Sequence, residues 1–289
     1  MQDYKMHKVT LDDIMADWAL WPNLCSTAPN SNEFSTLAKG LTNQNWLYKP
    51  AHAGGPYVIR VNAPNASELN LNRHAEWHIH QAVAGFDICP QFVYRDPADR
   101  YWIRHYLQGD TLADQLAQTT LNNDDIVALA LALKQVHALP TSTSWPAIDF
   151  DARTQYYWNQ VELVTGPLTK DLTTLKHQLD LLSKARSYSP RLCHMDPNPN
   201  NWILHHNQPK LIDWEYAALG NPLWDIATLI DTCHLNDTQA ETLIHHYGNV
   251  PMRDIEQASK QMQYLSALWF AVQKQSDQHS LIEELSALL

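Results

Sequence analysis

The segment His194-Met195-Asp196-Pro197-Asn198-Pro199-Asn200-Asn201, with Leu211-Ile212-Asp213-Trp214-Glu215 ten residues further on, decides how this chain reads. Its prolines forbid a regular helix, so Asp196 and Asn201 lie on a tight loop that can turn both side chains inward. Asp213 follows a short apolar run, so its carboxylate emerges at the end of a strand. Two carboxylates and an amide in one crevice suit a hard divalent cation with oxygen ligands. Mg2+ takes one or two protein carboxylates and completes its shell with water and phosphate oxygens, which makes a nucleotide the natural third party. The other carboxylate can accept a proton from an attacking hydroxyl. A solvated Asp/Asn/Pro turn is the plain alternative; apolar anchors on both sides of the loop and the second carboxylate at a strand end weigh against it.

Around this segment stand 289 residues, 31 acidic and 20 basic, with a formal net charge of −11 and 45% hydrophobic residues. That composition builds a real core and excludes intrinsic disorder. The length fits one large domain or two lobes sharing a cleft. An acidic balance without basic runs argues against nucleic acid or an anionic membrane as a partner. Any bound anion must therefore be held by local positive groups or a metal. Cys25, Cys89, Cys193 and Cys233 share no C-x-x-C spacing, so reduced, mostly buried thiols are expected. No apolar run is long enough to span a membrane and no apolar signal segment opens the chain, so a cytoplasmic protein is expected.

The first third reads as strands with one helix. Leu47-Tyr48-Lys49 and Tyr57-Val58-Ile59-Arg60-Val61 flank Gly54-Gly55-Pro56, which predicts a hairpin. Leu71, Ala75, Ile79 and Val83 fall at four-residue steps and predict a helix over about 67–84, with Gly85 as its C-cap. Residues 92–94 and 101–107 form another predicted strand pair. Beyond Gly109 the chain turns helical. Asn122 with Asp125 caps a helix running to His137 whose buried stripe is Ile126, Leu129, Leu133 and Val136. Helices over 154–184 follow, then an irregular block over 190–216 with strands at 202–204 and 210–212, then helices from 223 onward. The expected organisation is α+β: an N-terminal lobe over 1–107, with an acidic helical or mobile lead-in over 1–36, and a helical C-terminal lobe over 108–289.

H-x-D-x-x-x-x-N followed by I-D-W-E-Y resembles the catalytic loop and metal-binding segment of the choline kinase and aminoglycoside phosphotransferase superfamily, small-molecule kinases with a two-lobed, protein-kinase-like fold. The resemblance covers roughly residues 37–270 in family order. Gly40-Leu41-Thr42-Asn43-Gln44-Asn45 is similar to the phosphate loop of bacterial choline kinases. Val58-Ile59-Arg60-Val61 is similar to the strand bearing their basic ATP-binding residue, with Glu76 in the place of its helix partner. The segments 105–109 and 221–227 resemble the hinge and the helix start after the metal segment. The resemblance implies ATP and Mg2+ as cofactors. Asp196 would be the catalytic base, Asn201 and Asp213 the Mg2+ ligands, His194 a brace, and Asp225 a hydrogen-bond partner of the loop backbone. Gly40, Thr42, Asn43, Asn45, Arg60 and Glu76 would serve the nucleotide phosphates, and backbone near His105 and Leu107 the adenine. Such transfer needs positioning and charge neutralisation more than covalent help. The chain departs from the pattern in carrying Arg60 for a lysine and Lys39 where relatives often have a second glycine. A Walker-type G-x-x-x-x-G-K-[ST] string does not occur.

For the acceptor, a quaternary ammonium is held by aromatic faces beside a carboxylate. Glu215, Trp214, Tyr216, Trp269 and Trp158 are the candidates, in a chain with 11 tryptophans. Choline is the first expectation, with ethanolamine a related small cationic alcohol. Thiamine is the nearest competitor, because bacterial thiamine kinases share a similar H-M-D and L-I-D-W-E-Y-A signature. An aminoglycoside ranks third, and a nucleotide-binding module without turnover stands as the reading from another class. The 15 histidines lack the i, i+4 arrangement of a zinc helix and read as solvated or structural.

Overall fold

The computed structural model of the chain describes residues 9–21, 23–37, 43–51, 54–63, 70–184, 188–206, 208–274 and 276–289. It divides into two compact units, Met1–Gly109 and Asp110–Leu289.

The first unit begins with helix α1 (Leu11–Ala16), started by a capping box in which Thr10 and Asp13 satisfy each other's backbone N–H groups. Strands β1 (Phe34–Thr36), β2 (Gln44–Tyr48) and β3 (Tyr57–Val61) follow, then helix α2 (Arg73–Ala84), β4 (Phe92–Arg95) and β5 (Tyr101–His105). The strands form one antiparallel sheet in the order β1-β2-β3-β5-β4. Tyr48, Tyr57, Ile59, Tyr101 and Ile103 build a core shared with Ile14, Trp21 and Leu24. The lead-in segment is thus packed, and Trp21 Nε1 donates to the Tyr101 hydroxyl at 2.9 Å while Arg100 pairs with Asp17 at 2.6 Å. On α2, Trp77 stacks on Phe92 and meets Trp102 edge-on.

Three sequence expectations shift here. The helix starts at Arg73, capped by the Asn72 side chain on the Ala75 N–H; residues 64–69 lie outside the described residues. Gly85 does end the helix, but with φ −63; the left-handed residue is Asp87, at φ 57. Strand β5 ends at His105, two residues short of the expected end.

The second unit opens with α3 (Leu112–Leu116) and α4 (Asn123–His137). The α4 capping box of Asn122 and Asp125 is present, and Ile126, Leu129, Leu133 and Val136 are all buried, as the periodicity predicts. Helices α5 (Phe150–Thr165) and α6 (Lys170–Leu182) are separated at Gly166, whose φ of 81 suits glycine, and Pro167. Four short strands come next: β6 (Arg191–Cys193), β7 (Trp202–His205), β8 (Gln208–Leu211) and β9 (Ala218–Gly220). They pair as two antiparallel ribbons, β6 with β9 and β7 with β8. The β6–β9 ribbon has no clear sequence signature, because three-residue strands are too short to show a period. Helices α7 (Leu223–Thr232), α8 (Asp237–Tyr247), α9 (Met252–Lys274) and α10 (Gln278–Ser286) complete the chain, with α4 packed on α8, and α9 on α5 and α7. Among the described residues no helix is long and apolar enough to cross a membrane.

Candidate active site

The loop between β6 and β7 is held from both ends. Trp202 Nε1 donates to the Pro197 carbonyl at 3.0 Å, and the Ile212 N–H donates to the Asn201 carbonyl at 2.9 Å. The second bond continues the β7–β8 ladder past its Trp202↔Leu211 pair. It therefore puts Asn201 beside the residue preceding Asp213. Within the loop, Asn201 Nδ2 donates to the Asp196 carboxylate at 3.0 Å and to the Asp196 carbonyl at 2.9 Å. Both partners are acceptors, which orients the amide and turns Asn201 Oδ1 away from them. Asn198 Nδ2 donates to the other Asp196 oxygen at 2.8 Å, and Asn198 Oδ1 accepts from the Asn200 N–H. Asn198 was not singled out in the sequence; its signal was an Asx position two residues after the carboxylate it holds.

Burial pushes the Asp196 carboxyl up to about 6, aided by the nearby charges of Glu215 and Asp225 and opposed by the Asn198 and Asn201 bonds. Such a group is ionised near neutrality yet basic enough to take a proton. Met195 and Asp213 both sit in left-handed backbone, φ 71 and 62. For residues other than glycine this costs roughly 1–3 kcal/mol each and is found where a surrounding network over-determines the chain.

His194 and Asp225 supply that network. His194 is fully buried, and burial lowers its basicity, so the ring is neutral. Its Nε2 donates to the Ile212 carbonyl at 2.9 Å and its Nδ1 accepts from the Asp196 N–H at 3.3 Å. One imidazole thus ties the Asp196 loop to the strand end carrying Asp213. Asp225, in the first turn of α7, accepts the His194 N–H at 2.7 Å and the Met195 N–H at 2.8 Å.

The acceptor candidates separate into two groups. Glu215 is buried, and Trp269 Nε1 donates to the Tyr216 hydroxyl at 2.7 Å, with both rings partly exposed. The hydroxyl of Tyr216 is pushed up by burial and then by Glu215, Tyr157 and Asp196, so its surroundings disfavour another negative charge. Trp214 and Trp158, expected as pocket walls, are instead core. Trp214 has no exposure, bonds the Leu211 carbonyl and meets His194 edge-on at 4.7 Å. Trp158 likewise has none and donates to the Tyr264 hydroxyl at 2.7 Å. Each ring is wholly enclosed and finds its N–H partner inside the fold, so neither face is open to a ligand.

In the first unit, Arg60 and Glu76 form a buried ion pair at 2.6 Å, and Arg60 lies over the Trp102 ring at 4.7 Å. Glu76 also takes Arg73 at 2.8 Å. Arg73 was not foreseen; it reaches Asn43 Oδ1 at 3.3 Å, an atom that also accepts the Ala63 N–H. Asn45 pairs with Arg60 across β2 and β3. Gly40 and Thr42 lie outside the described residues. At the expected hinge, the His105 N–H is already committed to the Gln91 carbonyl, and the Tyr106 N–H to that of Pro56. The His105 N–H is therefore not an adenine donor, whereas Leu107 lies past the strand in irregular backbone.

Two solved structures share this architecture. A choline/ethanolamine kinase family protein from Mesorhizobium loti superposes with a TM-score of 0.73 at 18% identity, covering 96% of this chain and 94% of that one. An ADP-bound aminoglycoside phosphotransferase gives 0.66 at 21% identity, covering 89% and 92%. The fold is thus protein-kinase-like, α+β, with a β-rich N-terminal unit and a helical C-terminal unit. Residues 33–259 match the phosphotransferase enzyme family, and the chain belongs to that family. It is a small-molecule kinase. The LicA protein of Haemophilus influenzae is 27% identical over 264 residues, 86% of this chain and 75% of that protein.

Proposed function

We propose that the protein phosphorylates the primary hydroxyl of a small cationic alcohol, choline first, from a Mg2+-bound nucleoside triphosphate. The observation that carries this reading is the Asp196 carboxylate, held by Asn198 and Asn201 at 2.8 and 3.0 Å and poised near neutrality in the same unit as the Glu215, Tyr216 and Trp269 cluster. Asp196 would orient the acceptor hydroxyl and take its proton as the oxygen bonds to the γ-phosphorus and the nucleoside diphosphate leaves with the bridging oxygen. Glu215 and the Tyr216–Trp269 pair would hold the cationic end. Arg60, braced by Glu76, would bind phosphate oxygens, and Asn43 and Asn45 would shape the segment before it.

The residues present fit Mg2+. Asn201 Oδ1 is oriented away from the bonds that its amide nitrogen makes, and Asp213 offers a carboxylate one residue past the ladder bond to Asn201. These are hard oxygen donors, the set Mg2+ prefers. Asn201 and Asp213 would hold the ion, which supplies neutralisation of phosphate charge when bound. The nucleotide reading draws on the ADP-bound neighbour, and choline on the choline/ethanolamine kinase neighbour.

The test is turnover with Mg-ATP against choline, ethanolamine, thiamine and an aminoglycoside. Choline is expected to be the best acceptor, and a clear preference for thiamine or the aminoglycoside would replace it. Asp196→Ala should abolish transfer while nucleotide binding persists; near wild-type rates would remove Asp196 as the base. Trp269→Ala should raise the acceptor KM about ten-fold and leave that of ATP nearly unchanged, as loss of one cation–π face predicts.

A further inference from the structure

We propose that Arg73 is a positioning residue for the nucleotide phosphates, acting through Glu76 and Asn43; this rests on the phosphotransfer reading above. Arg73 is the first residue of α2, and Glu76 lies in the same first turn. Arg73 Nη1 donates to Glu76 Oε2 at 2.8 Å, and Nη2 donates to Asn43 Oδ1 at 3.3 Å. Glu76 Oε1 takes Arg60 Nη1 at 2.6 Å, so one carboxylate is shared between two guanidinium groups. All four side chains are buried.

The place of Arg73 goes against the local field. The amino end of a helix carries partial positive charge, so a cation in its first turn is disfavoured unless specific bonds offset it. Arg73 has those bonds, and its rigid fork of donors reaches both partners at once. Asn43 immediately precedes β2, and its Oδ1 also accepts the Ala63 N–H at 3.1 Å, just past the end of β3. Arg73 thus joins the start of α2 to the entry of β2 and the exit of β3, the strand that carries Arg60. Arg60 is held on a further side by Trp102, its cross-strand partner on β5, whose ring lies 4.7 Å from the guanidinium.

The second arginine also changes what Arg60 offers to an anion. A glutamate beside one arginine cancels much of that cation's field at a distance, and a guanidinium on the other carboxylate oxygen opposes the cancellation. His80, one turn beyond Glu76 on α2, registers the result. It is buried, and its basicity is lowered first by burial and then by Arg104 and Arg60. The charge effect at that ring is therefore positive even with Glu76 one turn away. In a chain of net charge −11 a polyphosphate has to be drawn by such local cations. Arg73 keeps Arg60 fixed in place and its charge available.

The experiment compares Arg73→Gln, Arg73→Lys and Asn43→Asp in the full chain with Mg2+, using circular dichroism to establish folding and calorimetry to measure binding of ADP and of adenosine. Arg73→Gln keeps a donor and removes the charge, so the Kd for ADP should rise about ten-fold while that for adenosine stays within about two-fold. A role confined to holding the fold would shift both ligands alike, because adenosine carries no phosphate. Arg73→Lys restores the charge without the fork and should recover part of the ADP affinity. Asn43→Asp is nearly isosteric and retains an oxygen for Arg73 and Ala63, but its charge opposes that of Arg73; it should repeat the ADP-selective loss and carries the comparison if Arg73→Gln does not fold. In turnover, the KM for ATP should rise about ten-fold in Arg73→Gln with that of the acceptor within about two-fold. Unchanged ADP affinity, equal losses for ADP and adenosine, no recovery with lysine, or a KM change shared by the acceptor would each overturn the proposal and leave the phosphotransfer reading standing. A wild type that binds neither ADP nor ATP sinks that reading, and this proposal with it.

Discussion

Asp196 shows what a single side chain gains from its surroundings. Half-buried among protein groups and faced by Glu215 and Asp225, its carboxyl is harder to ionise than an ordinary aspartate, and the two amides only partly offset this. In the metal-free protein, a carbon-detected NMR titration of Asp196 should show a midpoint near 6. Glu215→Gln removes one negative neighbour, so ionisation becomes easier and the midpoint falls; an unchanged midpoint would mean that burial alone sets it. Glu76 is a buried carboxylate of another kind, serving Arg60 and Arg73 together. Glu76→Ala strands buried guanidinium charge and should cost roughly 3–5 kcal/mol, read from denaturant unfolding of the whole chain. The pairing of Arg60 with Glu76 was legible through the family resemblance. Arg73 was not, because a buried arginine beside a helix cap looks in sequence like a surface one.

At the level of elements, the loop depends on how closely β9 approaches α7. A Cβ on Gly220 would lie 2.7 Å from Trp224 Cζ3 and 3.1 Å from Cε3. Trp224 has no exposure, and its indole N–H is held by Gln261 at 2.6 Å, so the ring cannot step aside cheaply. Gly220→Ala should therefore cost about 1–3 kcal/mol by overpacking. It should also lower kcat, since Trp224 adjoins Asp225; a variant with wild-type stability and rate would show that the turn relaxes freely. Amphipathic elements were the readable ones. Helix α4, with its capping box and four-residue stripe, follows from residues 122–137 alone, whereas β6 and β9 exist because they pair with each other. The same limit applied to aromatic residues. Trp214 and Trp158 have the composition of a cation pocket, and only packing reveals that their rings are spent on the core.

For the whole molecule, the net charge of −11 acts on every ligand at long range. It favours encounter with a cation and opposes a polyanion, and salt screens both effects. The kcat/KM for a cationic acceptor should fall about three-fold between roughly 0.05 M and 0.5 M salt, while that for Mg-nucleotide should not fall in parallel. Steady-state kinetics across that range checks it; equal dependence would remove long-range steering as the cause. The division into units at Gly109 and Asp110 accompanies the change from sheet to helices seen along the chain.

What the sequence determined by itself was local and chemical: where hydrophobic periods start and stop, which loop is barred from helix by proline, and which oxygen-bearing residues stand at its ends. These properties are set by neighbours within a few residues, so they survive without a fold. Only tertiary structure decided the partners that arrive from far along the chain. His137 meets Asp225 from 88 residues before it and takes Tyr247 from the end of another helix, and Trp269 reaches Tyr216 across 53 residues. Burial turned some tryptophans into core and left others facing outward. Hydrogen bonding and desolvation depend on distance in space, and no pattern of spacing along the chain encodes that distance.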